Sequence, residues 1–413
     1  MDDAARPSRV ESPAGPRRIR SSLRRHGLIP RPEPIRQLVQ VHRIRFSEGN
    51  RVQLFETGRE GLAAMLEAIR EAGHSIHLET YILRSDGTGR RFLDALCERA
   101  RAGVEVRLLY DALGSRGIER EALEPLRSTG AEIVAFNPWM GMHPRFAPRR
   151  RDHRKILVID GEIGFTGGVN IGDEYGEQAP ASEPGWRDAH VRIEGPAVRD
   201  LGAVFLESWF RADGPALPWS DLLALEPPAR GEVRCAVLPD GPAYRRRRMR
   251  DLLISGLESA KREAKLESPY FAPGRRVLEA LSAASRRGIK VELILAGKSD
   301  HPILRRASRS ILPRLLRCGV RVYEYHASMM HAKTAVFDDE WAVIGTSNLD
   351  RQSFEHSYEV NLVIDGEEVA TQLSARFERD LGVARVVDEA ELARRGLVER
   401  ALDRLAALLL LLI

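Results

Sequence analysis

Cysteine is scarce in this chain. Its 413 residues include only Cys97, Cys235 and Cys318, which lie far apart and form no C-x-x-C pair. That excludes a disulfide scaffold and argues against structural zinc or thioredoxin-like chemistry, and the thiols suit a reducing compartment. Long apolar runs are missing as well. No stretch approaches the ~20 residues of a bilayer-crossing helix, and the N-terminus has no apolar segment of the kind a signal peptide needs. Lysine is rare: of the 64 basic residues only Lys155, Lys261, Lys265, Lys290, Lys298 and Lys333 are Lys, and the rest are Arg. What is present is ordinary globular composition, 43% hydrophobic and 30% charged. That is enough to bury a core in two or three domains or one large unit, and it excludes collagen-like or fully disordered chains. The formal net charge of +5 is compatible with an anionic partner, either a phospholipid surface or nucleic acid.

The two ends differ from the middle. Residues 1–45 form an arm rich in Arg and Pro, which is expected to be irregular and either attracts anionic lipid or is simply solvated. The longest apolar run, Leu405 to Ile413, is too short to span a bilayer. It either lies on a membrane as a short helix or docks on the protein's own core.

Between the ends the sequence repeats itself. In the first copy a helical pattern over Thr57 to Ala72 precedes a strand at Ser75 to Leu83. A helix over Arg90 to Ala102 precedes a strand at Val104 to Asp111, and a further helix leads to a strand at Ala131 to Asn137. The segment Asp152 to Asn170 follows, then Arg187 to Gly195 and a helix through Trp209. The second copy keeps that order, ending with His331 to Asn348, Tyr358 to Ile364 and a helix to about Leu381. Alternating strands and helices predict an α/β fold with helices on both faces of mixed sheets. The predicted organisation is a first repeat over 46–211, a Pro- and Gly-rich connector over 212–231, a second repeat over 232–385 and a helical or apolar tail over 386–413.

Each repeat carries H-x-K followed after four residues by Asp: His153, Lys155 and Asp160, then His331, Lys333 and Asp338. Seven residues past each Asp, a Gly opens a small turn that ends in Asn170 or Asn348. In extended chain, residues i and i+2 share a face, so each His and Lys project together. An imidazole beside a fixed ammonium suits attack on a phosphodiester, with His as nucleophile or acid and Lys on the nonbridging oxygens. The Asn amides can donate to the same oxygens. One such motif is only suggestive; two, at matching places in two repeats, are specific. Both use Lys in a chain dominated by Arg, and a compact ammonium is not interchangeable with a guanidinium fork. Asp188 and Glu359 start equivalent strands. They are either the groups that orient the imidazoles or acids that merely begin exposed strands. Glu79 and Glu267 match on strands flanking the site, either buffering the lysines or forming salt bridges at the core edge. His190 and His326 are further candidates to line the cleft, and the runs Arg149 to Arg151 and Arg245 to Arg248 are either solvated faces or attract an anionic substrate. The remaining histidines show no metal-ligand spacing.

These paired motifs resemble the phospholipase D superfamily. The segments DHRKILVIDGEIGFTGGVNIGDEY, GWRDAHVRIEGPAV, ESPYFAP and MMHAKTAVFDDEWAVIGTSNLDRQSFE are similar to bacterial cardiolipin synthases of the shorter type without N-terminal membrane spans. The likeness covers roughly residues 49 to 385. It implies two tandem phospholipase D-like repeats in a pseudo-twofold unit with one active site at their interface. It also implies a phosphatidyltransferase that joins two phosphatidylglycerols through a phosphatidyl-histidine, with no metal and no cofactor. Anionic phospholipid is the implied substrate, met at the cytoplasmic face of the membrane by a peripheral protein. The implied catalytic set is His153, Lys155, Asp160, His331, Lys333 and Asp338, the two Asp serving to tie turns and lysines in place. Asp188 and Glu359 would each bond the imidazole of its own half. Many relatives carry Leu-Asn where this chain has His356-Ser357, which leaves head-group selection open. A hydrolase of lipid or nucleic acid is the alternative within the superfamily. Nucleic acid is disfavoured because the aromatic interleaving of a single-strand platform is missing. Intact motifs in both halves argue against an inactive scaffold.

Overall fold

The computed structural model describes residues 33–138, 150–176, 185–216, 227–244, 247–299 and 301–412. The first half contributes strands β1 (Ser47–Phe55), β2 (Ser75–Thr80), β3 (Glu105–Asp111), β4 (Glu132–Phe136), β5 (Ile156–Ile159), β6 (Ile163–Gly167) and β7 (His190–Glu194). The second contributes β8 (Val233–Asp240), β9 (Glu263–Ser268), β10 (Phe271–Ala272), β11 (Lys290–Ala296), β12 (Arg321–Tyr325), β13 (Thr334–Phe337), β14 (Trp341–Gly345), β15 (Leu349–Asp350), β16 (Glu359–Asp365) and β17 (Ala384–Val386). Fifteen of these strands join in one sheet, and β10 and β15 form a separate pair. Reading outward from the β8–β1 junction, β8-β16-β14-β13-β9-β11-β12 mirrors β1-β7-β6-β5-β2-β3-β4, which is the duplication written as topology. The sheet is mixed: β2, β3 and β4 run parallel, as do β9, β11 and β12, while the strands between them and the junction are antiparallel.

The helices are α1 (Glu33–His42), α2 (Gly58–Glu71), α3 (Gly87–Arg101), α4 (Arg120–Arg127), α5 (Ala197–Arg211), α6 (Arg248–Ser259), α7 (Arg275–Arg286), α8 (Pro302–Arg317), α9 (Arg351–Glu355), α10 (Glu367–Val383), α11 (Glu389–Arg394) and α12 (Leu397–Leu412). Side-chain caps set several starts. Thr57 accepts from the Glu60 N–H at the head of α2, and Asp86 accepts from the Gly89 N–H at the head of α3, satisfying N–H groups that have no partner within the helix.

Three cores hold the layers together. Leu66, Ile69, Phe92 and Leu96 pack against Leu78, Leu108 and Leu157 on the outer face of the first half-sheet. Leu253, Leu257, Leu281 and Leu312 do the same on the second. The third core belongs to both halves. Phe205 and Trp209 of α5 and Phe377 of α10 meet Val191 and Ile193 from one half-sheet and Ile344 and Leu362 from the other. Each such side chain contributes about 1.5–3 kcal/mol of burial. The two half-sheets therefore face one another, with β14 packed on β6 and β7.

Several features depart from the sequence reading. Strands β1 and β8, which join the halves, carry polar-rich or connector-adjacent sequence and give no strong strand signal. The arm expected to be irregular is helical over α1, because Ile35 is buried in the second outer core; residues 1–32 lie outside the described residues. The helix that carries most of the C-terminal run, α12, packs on α8, with Asp403 bonded to Arg306 at 3.4 Å and to Arg395; the side chains of residues 408–413 lie outside the described residues.

Asn50 ties the junction. Its amide donates to Ser47 O and Val233 O and its oxygen accepts from the Ala197 N–H at the head of α5. Asn50→Ala leaves these buried groups unpaired. A thermal or denaturant melt is expected to show a loss on the order of 2–3 kcal/mol, whereas an unchanged midpoint would mean that the junction does not depend on this side chain.

Candidate active site

The site is built by short parallel bridges between the halves. Tyr358 N–H donates to Arg151 O at 2.8 Å and His153 N–H donates to Tyr358 O at 2.9 Å. The symmetry-related pair is Arg187 N–H to Met329 O at 2.8 Å and His331 N–H to Arg187 O at 2.7 Å. The segment leading into each motif strand is thereby laddered onto the acid-bearing segment of the opposite half.

The side chains cross accordingly. His153 Nδ1 lies 3.0 Å from Glu359 Oε2, and His331 Nδ1 lies 2.7 Å from Asp188 Oδ2. This corrects the expectation that each acid serves its own half. Within one half, β6 lies between the motif strand β5 and the acid-led strand β7. That places them two strand spacings apart, roughly 10 Å, while the facing half brings its histidine into contact. The acids are alternative solutions to one problem. A Cβ on Gly168 would run into the Asp188 carboxylate. At the equivalent place in the second half Thr346 supplies a hydroxyl that donates to Glu359.

Both rings, with Asn170 and Asn348, line a single cavity of about 630 Å³. Lys155 and Lys333 lie buried behind them. Lys155 Nζ donates to His153 O at 2.9 Å, and Lys333 Nζ donates to His331 O and sits 3.0 Å from His331 Nδ1. With Nδ1 committed to an acid, Nε2 of each ring is left for a reacting group. Asn170 accepts from Ile82 N–H at 3.2 Å and donates to the Tyr175 hydroxyl at 2.9 Å, which in turn lies 3.2 Å from His331 Nδ1. The Asn348 amide oxygen has no protein partner among the described residues.

Burial dominates the electrostatics. It lowers His153 well below the usual imidazole range and brings His331 down to about 4, with the neighbouring lysines adding to the effect. Burial lowers Lys155 to about 7, against the pull of Glu359. Burial raises Glu359 to about 8. Burial pushes Asp188 upward too, but Lys333 and His331 outweigh it and hold this carboxyl below its ordinary value. The two acids thus differ in charge tendency although they occupy equivalent places.

Several other candidates fall elsewhere. Asp160 and Asp338 touch neither lysine nor cavity. Each sits past the far end of its motif strand at φ +53° and +55°. Asp160 accepts from the N–H groups of Gly73, His74 and Ser75, and Asp338 from those of Lys261, Arg262 and Glu263. The strand runs away from the cavity between Lys and Asp, so each acid is bonded to the segment leading into β2 or β9. Glu79 accepts from Ser208 Oγ at 2.6 Å, and Glu267 from Thr334 Oγ1 at 2.6 Å while lying 3.9 Å from Arg187. Both belong to buried polar networks at the core edge. His190 is buried beside Phe165, and His326 pairs with Glu324 at 3.3 Å; neither lines the cavity. Arg151 does line it, held by Asp111 at 3.3 Å, while Arg149, Arg245 and Arg246 lie outside the described residues. The sequence reading missed the aromatic wall: Tyr81 against His153, and Tyr175, Trp186 and Tyr270 around His331, with ring centroids 4.8 to 6.4 Å apart. The available signal was the recurrence of Glu79-x-Tyr81 in the first repeat as Glu267-x-x-Tyr270 in the second. Among the described residues no group of three or more His, Cys, Asp or Glu is placed to hold a metal ion.

Two imidazoles backed by carboxylates, two buried ammonium groups and one shared cavity equip the site for nucleophilic substitution at phosphorus. Comparison with known proteins agrees. The family described as "Cardiolipin synthase, PLD-like domain" matches residues 65–178 and 253–381. Cardiolipin synthase 1 of Bacillus anthracis is 36% identical over 360 residues, 85% of this chain and 70% of that protein. Cardiolipin synthase of Alkalihalophilus pseudofirmus is 37% identical over 365 residues, 88% and 72% of the two chains. Among solved structures, phosphatidylserine synthase of Haemophilus influenzae superposes with a TM-score of 0.69 at 15% identity, covering 91% of this chain and 98% of that one; this likeness concerns the fold alone. The chain belongs to the cardiolipin synthase family of phospholipase D-like enzymes.

Removing either anchoring acid tests the division of labour between the ends of the motif. Asp160→Ala and Asp338→Ala are each expected to cost on the order of 1–2 kcal/mol in a melting experiment, through three orphaned N–H groups. Turnover per folded molecule is expected to stay near wild type; a selective loss of kcat at unchanged stability would return these residues to the chemistry.

Proposed function

We propose that the protein joins two phosphatidylglycerol molecules into cardiolipin and releases glycerol. The observation that carries this reading is the crossover, by which two imidazoles from different halves open on one cavity, each with its own acid. The names of relatives more than a third identical over most of the chain support the choice of lipid. In the first step His153 Nε2 attacks the phosphorus of one phosphatidylglycerol. The N–P bond forms, the P–O bond to glycerol breaks, and His331 gives its proton to the departing oxygen. In the second step His331 takes the proton of a hydroxyl on another phosphatidylglycerol. That oxygen attacks phosphorus, the N–P bond breaks, and cardiolipin leaves. One phosphodiester replaces another, so no nucleotide is consumed.

The asymmetry of the acids supports this assignment of roles. Asp188, held below its usual range chiefly by Lys333 and His331, remains an anion that favours the imidazolium His331 must become. Glu359, raised by burial to about 8, leaves His153 neutral, the state a nucleophile needs. Lys155, Lys333, Asn170 and Asn348 would hold the nonbridging oxygens. The substrate is an anionic phospholipid met at a membrane surface, with the cytoplasmic face as the proposed location. No helix among the described residues is long and apolar enough to cross a membrane, so the proposed attachment is peripheral.

Product analysis on phosphatidylglycerol vesicles tests the reaction. Wild type is expected to form cardiolipin and free glycerol, and His331→Ala to lose on the order of 10³-fold or more in rate. Labelled lipid is expected to mark the protein only while His153 is present. Phosphatidic acid without cardiolipin, or cleaved DNA beside untouched lipid, would establish a hydrolase instead.

The Lys155 ammonium sets a pH limit. Its proton is needed to bind phosphate, and with a free-enzyme value of about 7 it is charged below that pH and neutral above. Since kcat/KM reports free-enzyme groups, kcat/KM for phosphatidylglycerol is expected to fall as pH rises from 7 to 9. Lys155→Gln, which carries no proton at any pH, is expected to lower kcat/KM throughout and to remove that descending limb. A wild-type profile flat through this range would contradict the role.

A further inference from the structure

The cavity is not symmetric although the fold is. Its polar floor carries the two histidines, and one wall is an apolar stripe along a helix of the second half. Leu304, Ala307 and Ile311 follow one another at helical spacing along α8, faced by Leu278 of α7 and Ala407 of α12. The equivalent helix of the first half, α4, has eight residues where α8 has sixteen, so among the described residues no matching helical wall is built there. A cavity with an anion-handling end and a hydrocarbon-like side has the chemistry of an amphiphile.

The outer surface beside this wall continues the pattern. α12 turns Asp403 and Ala406 toward the body of the protein, where Asp403 pairs with Arg306 and Arg395. On its other side Val398, Leu402 and Leu405 stand 73%, 43% and 52% exposed at i, i+4, i+7 spacing. Glu399, Arg400 and Arg404 on the same helix are exposed as well. An outward apolar stripe on a helix that otherwise exposes charge is an arrangement that lies in the headgroup region of a bilayer. The same helix thus lines the reaction cavity with Ala407 and presents an apolar stripe to the outside.

We infer that the groove between α8 and α12 is an acyl-chain site: α12 rests on the bilayer, and one chain of the phosphatidyl donor lies along Leu304, Ala307 and Ile311 while its phosphate reaches the histidines. This rests on the phosphatidyltransferase reading and adds to it where the lipid is held and from which side it enters. The occupant is a bilayer phospholipid because the groove is continuous with the phosphate end of the cavity, so that one molecule filling both must carry a phosphate and a hydrocarbon chain.

Photolabelling tests the inference on the whole wild-type chain. Phosphatidylglycerol with a diazirine near the end of one acyl chain is mixed into phosphatidylglycerol vesicles and irradiated with the protein, and labelled peptides are identified by mass spectrometry. Labels concentrated on residues 302–317 and 397–412, and competed away by unlabelled long-chain lipid, are expected. Labels spread over the surface, or confined to other segments, would overturn the groove. In parallel, Ile311→Trp, which narrows the groove, is expected to lower the ratio of rates on dioleoyl to dihexanoyl phosphatidylglycerol by about tenfold, the equivalent of two buried methylenes. A ratio equal to that of wild type would also overturn it. Cardiolipin formation by wild type is scored in the same vesicles. If none forms while the label still falls on these helices, the proposed reaction fails and the acyl site stands; if cardiolipin forms and the label falls elsewhere, the reverse holds.

Discussion

The structure depends on the hydrogen bonds that cross between the halves, from His153 to Glu359 and from His331 to Asp188. Neither half has a usable imidazole without the other. The acid that fixes a ring and leaves its second nitrogen free comes from the facing repeat, and so do the backbone bridges that set the ring's position. Face-to-face packing of the half-sheets around α5 and α10 is therefore a requirement of the site and not merely a way of covering apolar surface.

Bringing so many ionisable groups out of water is costly unless they answer one another. Lys155, Lys333, Asp188, Glu359 and both histidines are buried or nearly so, yet each has a partner within the cluster. Where the partnership is weaker the group shifts toward neutrality, as Glu359 and Lys155 do; where it is stronger the charge is kept, as at Asp188. A phosphodiester entering the cavity adds the anion that this cluster lacks, and its arrival is what makes the lysine charges and an imidazolium favourable together.

Duplication supplied two equal halves, but a two-step transfer asks for unequal ones. Gly168 makes room for Asp188, whereas Thr346 donates to Glu359. Tyr175 reaches His331, while at the equivalent place Ser353 accepts from the Asn348 N–H. The long α8, twice the length of α4, then gives the cavity a hydrocarbon-like wall from the second half. Each departure is small in sequence. Together they make a proton easier to place on His331, beside the anionic Asp188, than on His153, beside Glu359.

Much of this was legible in the order of residues alone. Helix and strand patterns are local, and so the mixed α/β repeat, the paired motifs and their spacing could be read directly; Thr57 to Ala72 became α2 almost residue for residue. Strands β1 and β8 were not assigned from the sequence: β1 is polar-rich, and β8, though its Cys235 to Leu238 enter two cores alternately, directly follows the connector. The identity of each histidine's acid could not be read either. Asp188 and Glu359 were visible as candidates from their matching positions, but their partners lie 143 and 206 residues away in the chain. Which acid meets which ring is decided by the packing of one half-sheet against another, a long-range contact that no local periodicity encodes. The same holds for Asp160 and Asp338: their spacing from Lys is plain in the sequence, but only the direction of the strand between them shows that they face away from the chemistry.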